Sequence, residues 1–171
     1  LPRVLQIFPG AQLVICGGRG QDIDYVRQLD TQIVVLGLLD HVVWVGFIDE
    51  IGKRAAFASC SVFVHPSYSE GMALAVLEAM AAGVPTIVTP GCYMDAAVAA
   101  GAAMLASQTS ASLAESIIQI LGDVAGARRL AESGRQYVAT VHSWDAMAQR
   151  LDKIYAGDAT VSPYRHTTMN S

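Results

Sequence analysis

Short apolar runs alternate along the chain with stretches whose apolar residues recur every three or four positions, which is the alternation of strand and helix. Leu1, Val4, Leu5 and Phe8 fall at helical spacing from the first residue, as though a helix were entered part-way. Leu13 to Cys16 reads as a buried strand, followed by Gly17-Gly18-Arg19-Gly20 and an amphipathic helix with Val26, Leu29, Ile33 and Leu36 on one face. Val42 to Val45 is the next strand, with Asp49 as the N-cap of a helix to about Ser59. A strand from Ser61 to Val64 runs into His65-Pro66-Ser67. Ser67 to Gly71 then forms a turn, Ala73 to Ala82 consists of strong helix formers, Gly83 ends that helix, and Pro85 opens a β-branched strand, Thr86 to Thr89. A loop from Pro90 to Asp95 leads into an alanine-rich helix and a short strand, Ala102 to Ala106. Ser112 and Glu115 form a capping box for a helix through Leu121. Two helices follow, Asp123 to Val141 and Trp144 to Tyr155, the last with Met147, Leu151 and Ile154 on its inner face. The pattern predicts an α/β domain over residues 1–156, a doubly wound parallel sheet with helices on both faces, and a loose polar tail over 157–171.

Composition narrows the function classes. With 171 residues, 53% of them hydrophobic and 15% charged, the chain can bury one good-sized core and is not disordered throughout. A formal net charge of -4 gives no basic footprint for nucleic acid, so none is expected as a partner. No apolar run approaches the roughly 20 residues of a membrane span, and no secretory segment precedes the first strand. Cys16, Cys60 and Cys92 are odd in number and widely spaced, and are expected to be reduced core thiols of a cytoplasmic protein, with membrane association through a missing part as the alternative.

The chemistry concentrates between Ser67 and Thr89. If the helix begins near Ala73, the free N–H groups of Gly71 to Ala75 carry the positive end of its dipole and suit a phosphate. Glu70 stays at the mouth of that site, and Glu78 lies roughly 7 Å further along the axis, at about 1.5 Å per residue. A carboxylate accepts two hydrogen bonds from a vicinal diol, so an anion site flanked by two carboxylates suits a phosphorylated sugar better than a bare anion. The plain alternative makes Glu70 an acid at a helix start and Glu78 a solvated surface residue. Against it stands the composition of the helix, apolar almost all round, in which an unpaired Glu78 needs a hydrogen-bonding partner such as a ligand hydroxyl. His65 lies beside this site and reads as a packing or hydrogen-bonding residue. Trp44 reads as packing, and Lys53 and Arg54 as a solvated helix face.

Pro66-Ser67, Glu70-Gly71, Leu74, Leu77-Glu78-Ala79-Met80-Ala81, Gly83 and Pro85, with two Glu residues separated by seven others, resemble the retaining, nucleotide-sugar-dependent glycosyltransferases of family 4. Ser143-Trp144 ahead of a final helix is similar to the family as well, and the likeness covers about residues 1–156. It implies one half of the GT-B architecture, two facing Rossmann-like domains. By the same resemblance Glu70 is the catalytic residue at the donor sugar hydroxyls, and Glu78 binds the ribose diol. Backbone N–H groups of Gly71, Met72, Ala73 and Leu74 meet the phosphates. The loop with Gly18 and Arg19 faces the donor, Arg19 being either a phosphate contact or a solvated turn residue, and Gly46, Phe47 and Ile48 receive the base. Where the family usually has an aromatic residue and Gly after Glu70-Gly71, this chain has Met72 and Ala73, and Met94-Asp95 stands in place of a Pro-Glu pair.

The resemblance thus implies the donor-binding half of an enzyme that moves a sugar from a nucleoside diphosphate to a glycan or lipid-linked acceptor. The nucleotide sugar is a co-substrate, and neither a cofactor nor a metal is expected. A preceding acceptor-binding domain, an Arg and a Lys for the diphosphate, and a central strand between those at 13 and 61 are expected before Leu1. The loss of that strand predicts a gap in the sheet or the collapse of its neighbours onto each other. A nucleotide-sugar epimerase of the same architecture and a non-catalytic binding domain are the alternatives.

Overall fold

A computed structural model describes residues 1–20 and 22–157; the expected tail, apart from Gly157, lies outside the described residues. The elements are α1 (Pro2–Leu5), β1 (Leu13–Cys16), α2 (Ile23–Val35), β2 (Val42–Gly46), α3 (Glu50–Ser59), β3 (Phe63–His65), α4 (Leu74–Ala81), β4 (Thr86–Val88), α5 (Asp95–Ala99), β5 (Met104–Leu105), α6 (Ser110–Gly122), α7 (Val124–Val141) and α8 (Trp144–Tyr155). A short 3-10 turn, Pro90–Cys92, lies between β4 and α5. Every strand pairing among the described residues is parallel, as helical crossovers that return the chain to the same end of a sheet require. The strands nevertheless form two sheets, β1-β2 and β3-β4-β5, where one was expected from the alternation. β1 and β3 are not hydrogen-bonded to each other, so of the two outcomes expected for these strands the chain adopts the gap.

The second sheet carries the core. β4 is wholly buried, and Thr86 inside it satisfies its hydroxyl on the Val84 carbonyl at 2.9 Å. Val76, Met80, Val88, Cys92 and Ala97 form one apolar cluster, and Ile87, Ala106 and Ile120 a second. α7 approaches α4 closely because residue 134 is glycine: a Cβ there would stand 3.0 Å from the Ala102 carbonyl oxygen and 3.5 Å from Met80 Cβ. Such an approach leaves no room for even one more methyl without displacing a neighbour.

The first sheet is thinly covered. Neither α2 nor α3 has a fully buried residue, and Val14, Val43 and Val45 on one sheet face are about half exposed. The face expected for α2 is half-buried at Val26, Leu29 and Ile33 and exposed only at Leu36, whereas that of α8 is open, with Met147, Leu151 and Ile154 all exposed. Amphipathic spacing forms the helix but does not supply the surface that would cover it. The expectation of three core thiols is corrected in the same way, since Cys92 is buried, Cys60 half-buried and Cys16 exposed.

Among the described residues α2, α3, α6, α7 and α8 begin at a side-chain cap, while α1, α4 and α5 have none. Asp49 caps α3 through the Gly52 N–H, as expected, and Ser143 caps α8 through the Ala146 N–H. α6 begins two residues before the predicted capping box: Thr109 caps it, accepting the Ser112 N–H at 3.2 Å. Ser112 is thereby a helical residue whose hydroxyl accepts the Ser107 N–H, and Glu115 reaches Arg3 of α1 at 2.9 Å.

Candidate functional site

The chain leaves β3 at His65, turns through residues 66–73 and enters α4, whose N-cap Ala73 has no side chain able to cap it. Among the described residues the N–H groups of Gly71, Met72, Ala73 and Ala75 have no hydrogen-bond acceptor, while that of Leu74 is taken by the Met72 carbonyl at 2.8 Å. The positive end of the α4 dipole therefore has four donors without an acceptor, on exposed Gly71 and Met72, buried Ala73 and half-buried Ala75, while the Leu74 N–H is taken.

Glu70 sits in the turn before this helix start, half-buried, with Oε1 2.8 Å from Nε2 of His65. The hydrogen bond from His65, with the Ser67 hydroxyl second, holds the Glu70 carboxyl below its ordinary range. His65, expected only to pack or bond beside the site, thus bonds the proposed catalytic carboxylate itself.

Glu78 corrects the burial argument. It lies on the exposed face of α4 and is paired: Lys53 Nζ of α3 donates to its Oε1 at 2.6 Å and to Glu50 at 3.0 Å. The apolar residues of α4 that bury are Val76, Leu77, Ala79 and Met80, which leaves a stripe where Glu78 meets solvent. Lys53 in turn is a half-buried bridge between two helices and not a solvated residue.

The loop that carries Glu70 is held by contacts that the sequence did not indicate. The Ser67 carbonyl accepts both Thr89 Oγ1 at 2.6 Å and Gln108 Nε2 at 2.8 Å, and Cys92 Sγ donates to the His65 carbonyl at 3.1 Å. Gly91 lies against the Tyr68 backbone so closely that a Cβ would overlap its carbonyl. The Pro-Gly turn after β4 was legible, but its contact with the turn after β3 was not.

The other predicted residues lie after β1 and β2. The Gly17 N–H donates to the Gly46 carbonyl at 2.7 Å, and the exposed Phe47 ring rests on Gly18, where a Cβ would stand 3.0 Å from Cζ. Gly46 has φ +72, a conformation suited to glycine, and Ile48 is half-buried against the first turn of α3. Arg19 is committed elsewhere: it pairs with Asp30 and lies over the Trp44 ring at 4.7 Å, while Trp44 Nε1 donates to the Gly17 carbonyl. The structure joins Gly18 to Gly46-Phe47 and, separately, Glu70 to the α4 N-terminus, with Lys53 linking α3 to Glu78. Two cavities, of about 310 Å³ between β5, α6 and α7 and about 170 Å³ between β1-β2 and α2, the latter lined in part by Trp44, contain none of the predicted site residues. Among the described residues no three His, Cys, Asp or Glu side chains converge as metal ligands, and no helix is long and apolar enough to cross a membrane.

This arrangement of parallel strands and crossover helices has counterparts among known proteins. Residues 1–137 match the family model for glycosyl transferases group 1. The chain belongs to that family. Among its curated relatives, a phosphatidyl-myo-inositol mannosyltransferase of Mycobacterium leprae is 29% identical over 163 residues, covering 94% of this chain and 41% of the relative. A glycogen synthase of Mycobacterium tuberculosis is 31% identical over 160 residues, covering 91% of this chain and 37% of the relative. Among solved structures, a sucrose-phosphate synthase from Thermosynechococcus elongatus has a TM-score of 0.76 at 30% identity, covering 94% of this chain and 42% of that one. The C-terminal domain of a group 1 glycosyl transferase from Francisella tularensis shares the fold, with a TM-score of 0.76 at 23% identity over 84% of this chain and 75% of that one. This group 1 glycosyl transferase chain thus spans about two-fifths of the length of the curated relatives it matches.

Proposed function

We propose that the chain is the donor-binding half of a retaining family 4 glycosyltransferase, which transfers a sugar from a nucleoside diphosphate to an acceptor hydroxyl. The observation that carries this reading is the uncapped start of α4, with Glu70 in the turn before it and Glu78 on the exposed stripe of the helix. The free N–H groups of Gly71, Met72, Ala73 and Ala75 take the diphosphate, whose charge grows as the sugar departs and which the dipole stabilises without a metal. Glu70, ionised and held by His65, accepts hydrogen bonds from the donor sugar hydroxyls and acts as the catalytic carboxylate. Glu78 accepts from the ribose diol, and Gly46, Phe47 and Ile48 line the base beside Gly18. Arg19 reaches a phosphate only by leaving Asp30. Relatives named as mannosyltransferase and glycogen synthase, and a fold neighbour from Anabaena solved with UDP-glucose, support a nucleotide-sugar donor.

A preceding domain supplies the acceptor site and further cations for the diphosphate, in a cytoplasmic enzyme acting on a glycan or lipid-linked acceptor. Alone, the 171 residues bind donor weakly and transfer nothing. Glycoside formed by the isolated chain from radiolabelled donors, and abolished by Glu78→Ala, would show that wrong. The roles of the two carboxylates are tested in the full-length protein by titrating variants with nucleotide and with nucleotide sugar. Glu78→Ala is expected to weaken nucleotide binding by about 1.5–3 kcal/mol, the scale of a hydrogen bond to a charged group. Glu70→Ala is expected to cut transfer far more than nucleotide binding. Equal losses for both ligands in both variants refute the division.

A further inference from the structure

Lys53 stands apart from the other surface cations of the chain. Its ammonium is held between two carboxylates on different helices, Glu78 Oε1 at 2.6 Å and Glu50 Oε2 at 3.0 Å, and its side chain is only 30% exposed. By contrast, the Arg3, Arg27 and Arg135 pairs all lie between side chains more than half exposed. Exposed pairs of that kind contribute little, because solvent screens them and the side chains lose freedom in forming them. The Glu78 bond, followed by that of Glu50, raises the Lys53 titration above its ordinary value, so the ammonium is charged throughout the neutral range.

The geometry has a consequence for Glu78. Oε1 is occupied by Lys53, and among the described residues Oε2 has no partner. A carboxylate pinned through one oxygen presents the lone pairs of the other in a fixed direction, and the entropy of fixing the side chain is already spent before a ligand arrives. The ammonium also offsets a negative charge that would otherwise repel a nearby diphosphate. Glu50, one turn before Lys53 on α3, is the second partner of the ammonium. We propose that Lys53 is the positioning residue for Glu78, and that the preference of this site for ribonucleotides over nucleotides lacking the diol passes through the Lys53–Glu78 bond. This rests on the reading of Glu78 as the ribose ligand.

The test is calorimetric titration of the full-length protein with UDP and GDP and with their 2′,3′-dideoxy counterparts, in wild type, Glu78→Gln, Lys53→Met and Lys53→Arg. Lys53→Met is expected to weaken binding of the preferred ribonucleotide about five- to tenfold and to leave the dideoxy counterpart within about twofold, with Lys53→Arg restoring most of the difference. Combined with Glu78→Gln, the Lys53 substitution is expected to add little, because both act on one contact. Equal weakening of both nucleotides by Lys53→Met, or weakening of neither, overturns the proposal. If Glu78→Gln discriminates between the two nucleotides while Lys53→Met does not, the positioning role alone falls. If Glu78→Gln fails to discriminate, the ribose reading falls and the positioning role with it.

Discussion

Nε2 of His65, the last residue of β3, lies 2.8 Å from Oε1 of Glu70 across the turn that leads to α4. The Phe63 ring stacks near His65 at 6.0 Å between centroids, and Cys92 bonds its carbonyl, so the imidazole is anchored on a rigid strand. A carboxylate on a loop thereby acquires a fixed position from a residue in the sheet.

Because the hydrogen bond from His65 is the largest influence lowering the Glu70 titration, its removal moves that titration up toward the ordinary carboxylate value of about 4.3. The folded value lies below the unfolded one. The stabilisation is therefore present above the unfolded value and is lost as pH falls through the folded one. His65→Ala is expected to shift the acidic limb of the transfer rate to higher pH, and His65→Gln to shift it less. A pH–rate profile checks this, and superimposable acidic limbs for wild type and His65→Ala would contradict it.

Gly91 takes its place through proximity to the Tyr68 backbone and not through an unusual backbone angle. Gly91→Ala must push the turn after β3 away from the turn after β4. It is expected to cost about 1–3 kcal/mol in urea denaturation and to impair donor-sugar transfer through the displaced Glu70. Gly10→Ala, where an added Cβ meets nothing within 4 Å, is the control and should stay within about 0.5 kcal/mol of wild type. Equal stability of the two variants would remove Gly91 from its role.

His142, at the end of α7, titrates below its ordinary value because burial disfavours its charged form, with the Arg150 charge second. The unfolded chain therefore takes up the proton first, and stability falls as pH drops below about 6.5. The Tyr137 ring, 5.6 Å away, is part of the surface that must accommodate the new charge. Urea midpoints measured between pH 7.5 and 5.5, roughly the range in which an ordinary imidazole protonates, should decline less in His142→Gln than in wild type. Parallel declines would assign the acid sensitivity to other groups.

The local architecture was legible from residue order because it depends on near neighbours. Asp49 caps α3 through the N–H group three residues ahead, and Gly83, with φ +75, ends α4 where a left-handed residue is needed. The alternation of helix and strand likewise implied parallel pairing, since each crossover returns the chain to the same end of the sheet. What the tertiary structure decided are relations between residues far apart in sequence. Glu78 meets Lys53, 25 positions earlier, Gly91 meets Tyr68, and Gln108 reaches Ser67 across 41 positions. The apolar content of α4 suggested that Glu78 was buried, yet exposure depends on which neighbours cover each stripe of the helix, and Lys53 arrives on the stripe they leave open. The division into two sheets is of the same kind: residue pattern makes a strand, but its hydrogen-bond partners are chosen by where the helices place its edges.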